Sequence, residues 1–188
     1  MPILAADHLL PHGFSLRTAG DLDESEQARV RVLLELAFDH DFSDDDWAHS
    51  LGGVHAIVNG AAGVVAHAAV VPRTLAVGPL RLDVGYVEAV AVRPDLQRTG
   101  LGTAIMQAVN GVIVGRYALG VLSTGEWGFY ARTGWERWQG ETWVAHPDGR
   151  RERTPDDDDS LMILRTPSTP PLDLAWPMTC AARIGDAW

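Results

Sequence analysis

A mixed α/β fold is predicted by this 188-residue sequence on three observations. The Val-rich stretch Tyr86–Val92 leads through a proline and a glycine-rich turn into residues with helical apolar spacing, a strand–turn–helix order. Apolar runs on either side have strand length and are separated by amphipathic stretches of helix length. With 46% apolar and 21% charged residues, the composition is that of a globular chain able to bury a real core. One domain over residues 1–188 is the expectation.

Phe14–Thr18 reads as the first strand. Asp21 or Asp23 can cap a helix whose apolar face is Val30, Leu33, Leu34, Ala37 and Phe38. After the charged loop Asp39–Phe42, Ser43-Asp44-Asp45-Asp46 has the S-x-x-D form of a capping box and opens a short helix around Trp47. Val54–Val58 and Val64–Val71 read as a hairpin turning at Asn59-Gly60, a strong two-residue turn pair. Leu75–Arg81 is a further strand, and Tyr86–Val92 the central one. The helix that follows carries Leu101, Ala104, Ile105, Ala108, Val109 and Val112 on one face and runs to about Arg116. Leu119–Leu122 is a buried strand ending at Ser123, and a short helix over Trp127–Arg132 stops at Gly134, read as its C′ residue. The Pro- and Asp-rich end of the chain holds one strand, Leu161–Leu164.

Charge is unevenly spread over the net −10. Residues 1–60 have 11 acids against 3 Arg, residues 61–140 have 5 against 7, and residues 141–188 have 9 against 5, for balances of −8, +2 and −4. A neutral-to-basic centre suits an anionic ligand and acidic flanks a cationic one, although such flanks also serve solubility alone. Nucleic acid is not an expected partner, because a phosphate backbone needs a basic face. The longest apolar run, Ala61–Val71, is too short for a bilayer and contains His67, so no membrane partner is expected. An apolar N-terminal patch without preceding basic residues speaks against a signal peptide. Cys180 is the sole cysteine, which excludes an internal disulfide and suits a cytoplasmic location. The seven His lack metal-ligand spacing, so no metal is expected, and His67 reads as a satisfied core residue.

Chemistry concentrates after the central strand, in Gln97-Arg98-Thr99-Gly100-Leu101-Gly102. A helix start leaves N–H groups unpaired, its dipole favours negative charge, and glycines let a phosphate approach the backbone. The pattern is Q-x-x-G-x-G and not a P-loop, whose lysine this lysine-free chain cannot supply. It resembles the acetyl-CoA pyrophosphate loop of the GNAT N-acetyltransferases. Phe129-Tyr130-Ala131-Arg132-Thr133-Gly134-Trp135 resembles the same superfamily's F-Y-x-x-x-G-[FW] helix end, and the element order agrees with it. Beyond the superfamily, the chain is similar to the mycobacterial type of aminoglycoside 2′-N-acetyltransferases. The similar stretches are 41–47 with 51–56, 85–92, 119–123, 154–158 and the terminal G-D-A-W. Two departures are a Ser123–Tyr130 loop shorter than the family's and Ala181-Ala182 where an acidic and an aromatic residue are expected.

The resemblance implies a GNAT fold, acetyl-CoA as cosubstrate without a metal, an aminoglycoside acceptor and a homodimer. Cofactor contacts fall on the backbone of Val90 and Val92 and on Gln97, Arg98, Thr99, Gly100, Leu101, Gly102 and Thr103. Glu88, a carboxylate beside Val87 and Val90 on the central strand, is the general base, acting through water; the residues alone leave open a solvated face of that strand. Tyr130 is the general acid toward the departing thiolate, with a core tyrosine beside Phe129 as the alternative. Acceptor positions are Asp41, Asp46, Glu88, Ser123, Asp157, Asp186 and the Trp188 carboxylate. A solvated loop accounts for Asp156–Asp159 as well as a substrate wall does, and Asp46 serves equally as a cap. Competing expectations are a GNAT enzyme acting on a cell-wall amino sugar or polyamine, and a non-catalytic module that binds acetyl-CoA or a polycation.

Overall fold

A computed structural model describes residues 13–188; the N-terminal patch discussed for a signal peptide falls largely on residues 1–12, outside the described residues. Backbone contacts gather the chain into two compact units, one of residues up to 71 with 87–112, the other of 72–86 with 113–188. The boundaries fall inside two strands and one helix, β3 (Gly63–Val77), β4 (Leu80–Val92) and α3 (Leu101–Arg116).

In the first unit, β1 (Ser15–Ala19) pairs antiparallel with β2 (Val54–Gly60), and β2 pairs antiparallel with β3. Helix α1 (Glu24–Ala37) starts on a full capping box: Glu26 N–H donates to the Asp23 carboxylate at 2.8 Å, and the Glu26 side chain accepts from Asp23 N–H at 3.2 Å. Its buried Val30, Leu33 and Leu34 form a cluster with Leu22, Phe42, Ile57 and Ala91. Each such side chain removed from water contributes about 1.5–3 kcal/mol. The expected stripe stops short of Phe38, which is exposed as the chain leaves the helix through Asp39 and His40, both left-handed. Helix α2 (Asp44–Ser50) has the capping box read at Ser43. All six expected stripe residues of α3 are buried, and so are Met106 and Ile113.

Two turn assignments are corrected. Asn59 and Gly60 belong to β2, and the reversal is made by Ala61-Ala62 between the paired Gly60 and Gly63. The register slips between Val58 and Asn59, so the Asn-Gly pair accommodates a bulge, and Gly63 supplies the positive φ of +114°. Leu75–Arg81 is not one strand: β3 ends at Val77, Gly78-Pro79 turn the chain, and Leu80 opens β4. A Gly-Pro turn was hidden there inside an apolar run.

In the second unit the strand order is β6-β9-β5-β4-β3-β10-β7-β8, where β5 is Leu119–Ser123, β6 Glu136–Arg137, β7 Thr142–Ala145, β8 Arg151–Arg153, β9 Leu161–Arg165 and β10 Met178–Ala181. β5 runs parallel to β4 over Val84–Tyr86 and Leu119–Val121, and antiparallel to β9. Strands β6, β7, β8 and β10 lie outside the sequence reading: each is at most four residues long, too short for a period. Close approach holds that region together. A Cβ on Gly140 would meet the Trp176 carbonyl oxygen at 1.8 Å, and that oxygen accepts from Trp138 Nε1 at 3.0 Å. Helix α4 (Trp127–Ala131) has Arg132 as its C-cap, which makes Thr133 C′ and Gly134 (φ +98°) the residue after it, a one-position correction.

Candidate functional site

β4 ends at Val92, Pro94–Leu96 form a single 3-10 turn, and α3 opens at Leu101. Between them Arg98 (φ +62°) and Gly100 (φ +97°) both take left-handed backbone. Nothing lies within 4 Å of a Cβ built on Gly100, so its dihedral, not crowding, asks for glycine. Thr99 Oγ1 donates to the Leu96 carbonyl at 2.6 Å and Ala104 N–H to the Gly100 carbonyl at 3.0 Å, which closes the first turn of α3. The N–H groups of Leu101, Gly102 and Thr103 precede that bond and have no intrahelical acceptor. Gln97, Arg98, Thr99, Gly100 and Thr103 are exposed, Gly102 is half-buried, and Leu101 anchors the turn in the core. Most of the turn is thus open to solvent.

On β4, Glu88, Ala89 and Val90 are half-buried, as is Val92, while Val87 and Ala91 are buried. Ala89 has φ +52°, unusual for a residue with a Cβ inside a strand, so the backbone kinks next to Glu88. Asp41 is exposed beyond the Asp39-His40 turn, its N–H donating to the Phe38 carbonyl at 2.8 Å. Asp46 Oδ2 accepts from both Ser43 N–H (2.9 Å) and Ser43 Oγ (2.7 Å), so one oxygen is engaged in the α2 cap.

The second unit links Ser123, Asp157 and Trp188 through hydrogen bonds, and the charge of Asp186 acts on Asp157. Ser123 Oγ donates to Ser160 Oγ at 2.9 Å, and Ser160 Oγ to the Asp157 carbonyl at 2.8 Å. Thr154 serves both ends: its Oγ1 accepts from Trp188 Nε1 at 3.2 Å, and its side chain hydrogen-bonds Asp157. Burial, followed by the carboxylates of Asp186, Asp156 and Asp158, raises the Asp157 carboxyl above the usual range, partly offset by Thr154. The last residues are fastened through their backbone. Arg73 Nη2 donates to the Ala187 carbonyl at 2.8 Å and Arg183 Nε to the Asp186 carbonyl at 2.6 Å. The Arg73 guanidinium also lies 4.5 Å from the centre of the Tyr86 ring. Trp188 is buried and Asp186 exposed.

The four-aspartate run divides by partner. Asp158 is held by Arg153 and by Thr142 N–H at 2.8 Å, and Asp159 pairs with Arg137 at 3.0 Å. Asp156 is exposed, and Asp157 is half-buried, with the charge of Asp186 helping to raise its carboxyl. Arg73, Thr154 and Ser160 were missed from the sequence. Their one trace was an arginine in the apolar β3 and a Ser and a Thr bracketing the acidic run.

Tyr130, in α4, is 8% exposed and packs edge-on to Phe129 with ring centres 4.9 Å apart. Burial, with Glu126 adding to it and a Thr124 hydrogen bond opposing, pushes the phenol up to about 12. Among the described residues no group of three or more His, Cys, Asp or Glu could hold a metal ion, and no helix is long and apolar enough to cross a membrane.

A mixed sheet with a strand–glycine turn–helix unit is the architecture of GCN5-related N-acetyltransferases. A GCN5-related N-acetyltransferase from Kribbella flavida aligns with TM-score 0.54 at 18% identity over 69% of this chain and 34% of that one. The ribosomal-protein-S18-alanine N-acetyltransferase from Escherichia coli aligns with TM-score 0.54 at 17% identity, over 80% of this chain and 94% of that one. At these identities the likeness is one of fold, and the chain spans about a third of the length of the Kribbella protein. A family model described as Nodulation protein A (NodA) matches residues 37–122. The aminoglycoside 2′-N-acetyltransferase of Mycolicibacterium fortuitum is 44% identical over 181 residues, 94% of this chain and 92% of that protein. The chain belongs to the aminoglycoside 2′-N-acetyltransferase family.

Proposed function

We propose that the protein transfers the acetyl group of acetyl-CoA to the 2′-amino group of an aminoglycoside and so inactivates the drug. The observation that carries this is the 44% identity to a protein of that name along nearly the whole chain. The open left-handed turn at Arg98 and Gly100 supports it, since three free helix N–H groups behind an accessible glycine suit a pyrophosphate. In this reading Gln97–Thr103 hold the pyrophosphate, and the backbone of Val90 and Val92 pairs with the pantetheine amides.

An aminoglycoside is cationic at neutral pH, so its amine must lose a proton before it attacks. Glu88 takes that proton by way of water. The amine nitrogen then bonds to the acetyl carbonyl carbon and the carbon–sulfur bond breaks. Tyr130 donates to the departing sulfur, and the second amine proton replaces the one it gives. The products are the amide, the CoA thiol and one proton released through Glu88. Asp41, Asp46, Ser123, Asp157, Asp186 and Trp188 bind the acceptor, several carboxylates suiting a rigid polycation. A cytoplasmic homodimer completes the reading.

Thiol release measured with a panel of amines tests it. Aminoglycosides with a 2′-amine should turn over and those with a 2′-hydroxyl should not. Equal rates on both would defeat the regiochemistry. Turnover of polyamines or simple amino sugars with none on aminoglycosides would move the acceptor assignment, and tight binding without turnover would leave a binding module.

A further inference from the structure

Ala89 lies between the proposed base Glu88 and Val90, in left-handed backbone that a residue with a Cβ keeps only when its surroundings hold it there. The holder is visible. The Ala89 carbonyl oxygen is 2.8 Å from His67 Nδ1, and His67 is completely buried on β3. The other ring nitrogen, Nε2, is 3.0 Å from Nδ1 of His55, which is 1% exposed on the neighbouring β2. A carbonyl can only accept, so His67 carries its proton on Nδ1. Full burial keeps that ring neutral, so its Nε2 must accept and His55 Nδ1 must donate. The chain His55 → His67 → Ala89 has one consistent arrangement of protons, with both rings neutral.

We infer that His67, kept in its Nδ1–H form by His55, is a positioning residue that fixes the kink at Ala89 and thereby the direction in which Glu88 and the Val90 backbone are presented. Neither histidine touches a reacting atom. The role rests on the assignment of Glu88 as base and of Val90 as a cofactor contact, since it acts through them.

The test compares three substitutions in the full chain. His67→Asn keeps an N–H donor close to the place of Nδ1; His67→Leu removes it; His67→Leu with Ala89→Gly removes it but lets residue 89 adopt positive φ freely. In His67→Leu, kcat should fall by about tenfold to 10²-fold, the scale of a small misplacement of a reacting group. His67→Asn should stay within a few-fold of the parent, and the glycine double variant should recover part of the loss although its core keeps the leucine. A folded His67→Leu protein with parental kcat overturns the inference, as does equal impairment of the Asn and Leu variants. Imidazole ¹⁵N spectra of the unmodified protein give a readout that does not depend on activity. His67 should be the Nδ1–H tautomer, and an Nε2–H signal overturns the inference. Glu88→Gln is the control for the reading beneath it. If that variant turns over normally, the base assignment fails while the tautomer result still decides whether His67 holds Ala89.

Discussion

For Tyr130, the proposed general acid, burial bears directly on the proposed chemistry. An ordinary phenol lies close enough to a thiol in acidity to surrender its proton without a large penalty, but burial and Glu126 push this one up to about 12. It therefore stays protonated across the working pH range, and in the proposed mechanism its proton passes to the sulfur only as the amine proton replaces it. Tyr130→Phe should lower kcat by about 10²-fold, the scale of one lost donor at a charged leaving atom, with little effect on KM for either substrate. Full kcat in steady-state assays would return Tyr130 to the core. Glu88→Gln should cost about 10²-fold or more in kcat, the range of a general base; an unchanged rate across the pH profile would remove it from the mechanism. Neither residue's surroundings could be read from sequence. A tyrosine after a phenylalanine names a candidate, but its burial and the Thr124 contact come from residues folded against it.

At the scale of elements, the turn into α3 was legible because its parts are local. Dihedral demand at Gly100, the free N–H groups and the apolar stripe lie within a dozen residues, and the stripe is buried as its spacing required. Gly100→Ala has room for its methyl but must hold φ near +97°, so calorimetry should show weaker acetyl-CoA binding in a protein that still folds. Gly102→Asp, which puts a carboxylate at the same helix start, should abolish binding; retained affinity would show that the turn is not the pyrophosphate site. The hairpin turns were less legible. Asn-Gly was a sound turn pair displaced by a bulge at Asn59, and Gly78-Pro79 was masked by apolar neighbours. The fastening of Ala187 by Arg73 spans 114 positions, and no local pattern announces it.

For the whole molecule, pH and salt should act through different groups. Burial, the larger effect, takes His67 down to about 3 against the opposing Ala89 hydrogen bond, and His55 is also lowered by burial. Below about pH 6.5 the unfolded chain therefore binds protons that the native state does not, and stability falls as pH is lowered from there toward 3, at about 1.4 kcal/mol per pH unit for such a group. Above that window this contribution is flat. Denaturant titrations should show a shallower acid slope for His67→Asn than for the parent, and parallel slopes would refute it. Salt acts on the acidic flanks, −8 and −4 around a +2 centre. Raising ionic strength should raise KM for a polycationic acceptor by screening, and the same rise for a neutral-amine acceptor would exclude that cause.

The division into two units bears on how unfolding of this protein can be watched. Of its seven tryptophans, only Trp47 belongs to the unit that carries Glu88 and the glycine turn; Trp127, Trp135, Trp138, Trp143, Trp176 and Trp188 all belong to the other. Intrinsic emission is thus weighted toward strands β5 to β10 and nearly blind to the glycine turn before α3. A fluorescence melt and a far-ultraviolet dichroism melt of the same sample need not coincide, and a Trp47→Phe protein would turn emission into a reporter of the second unit alone.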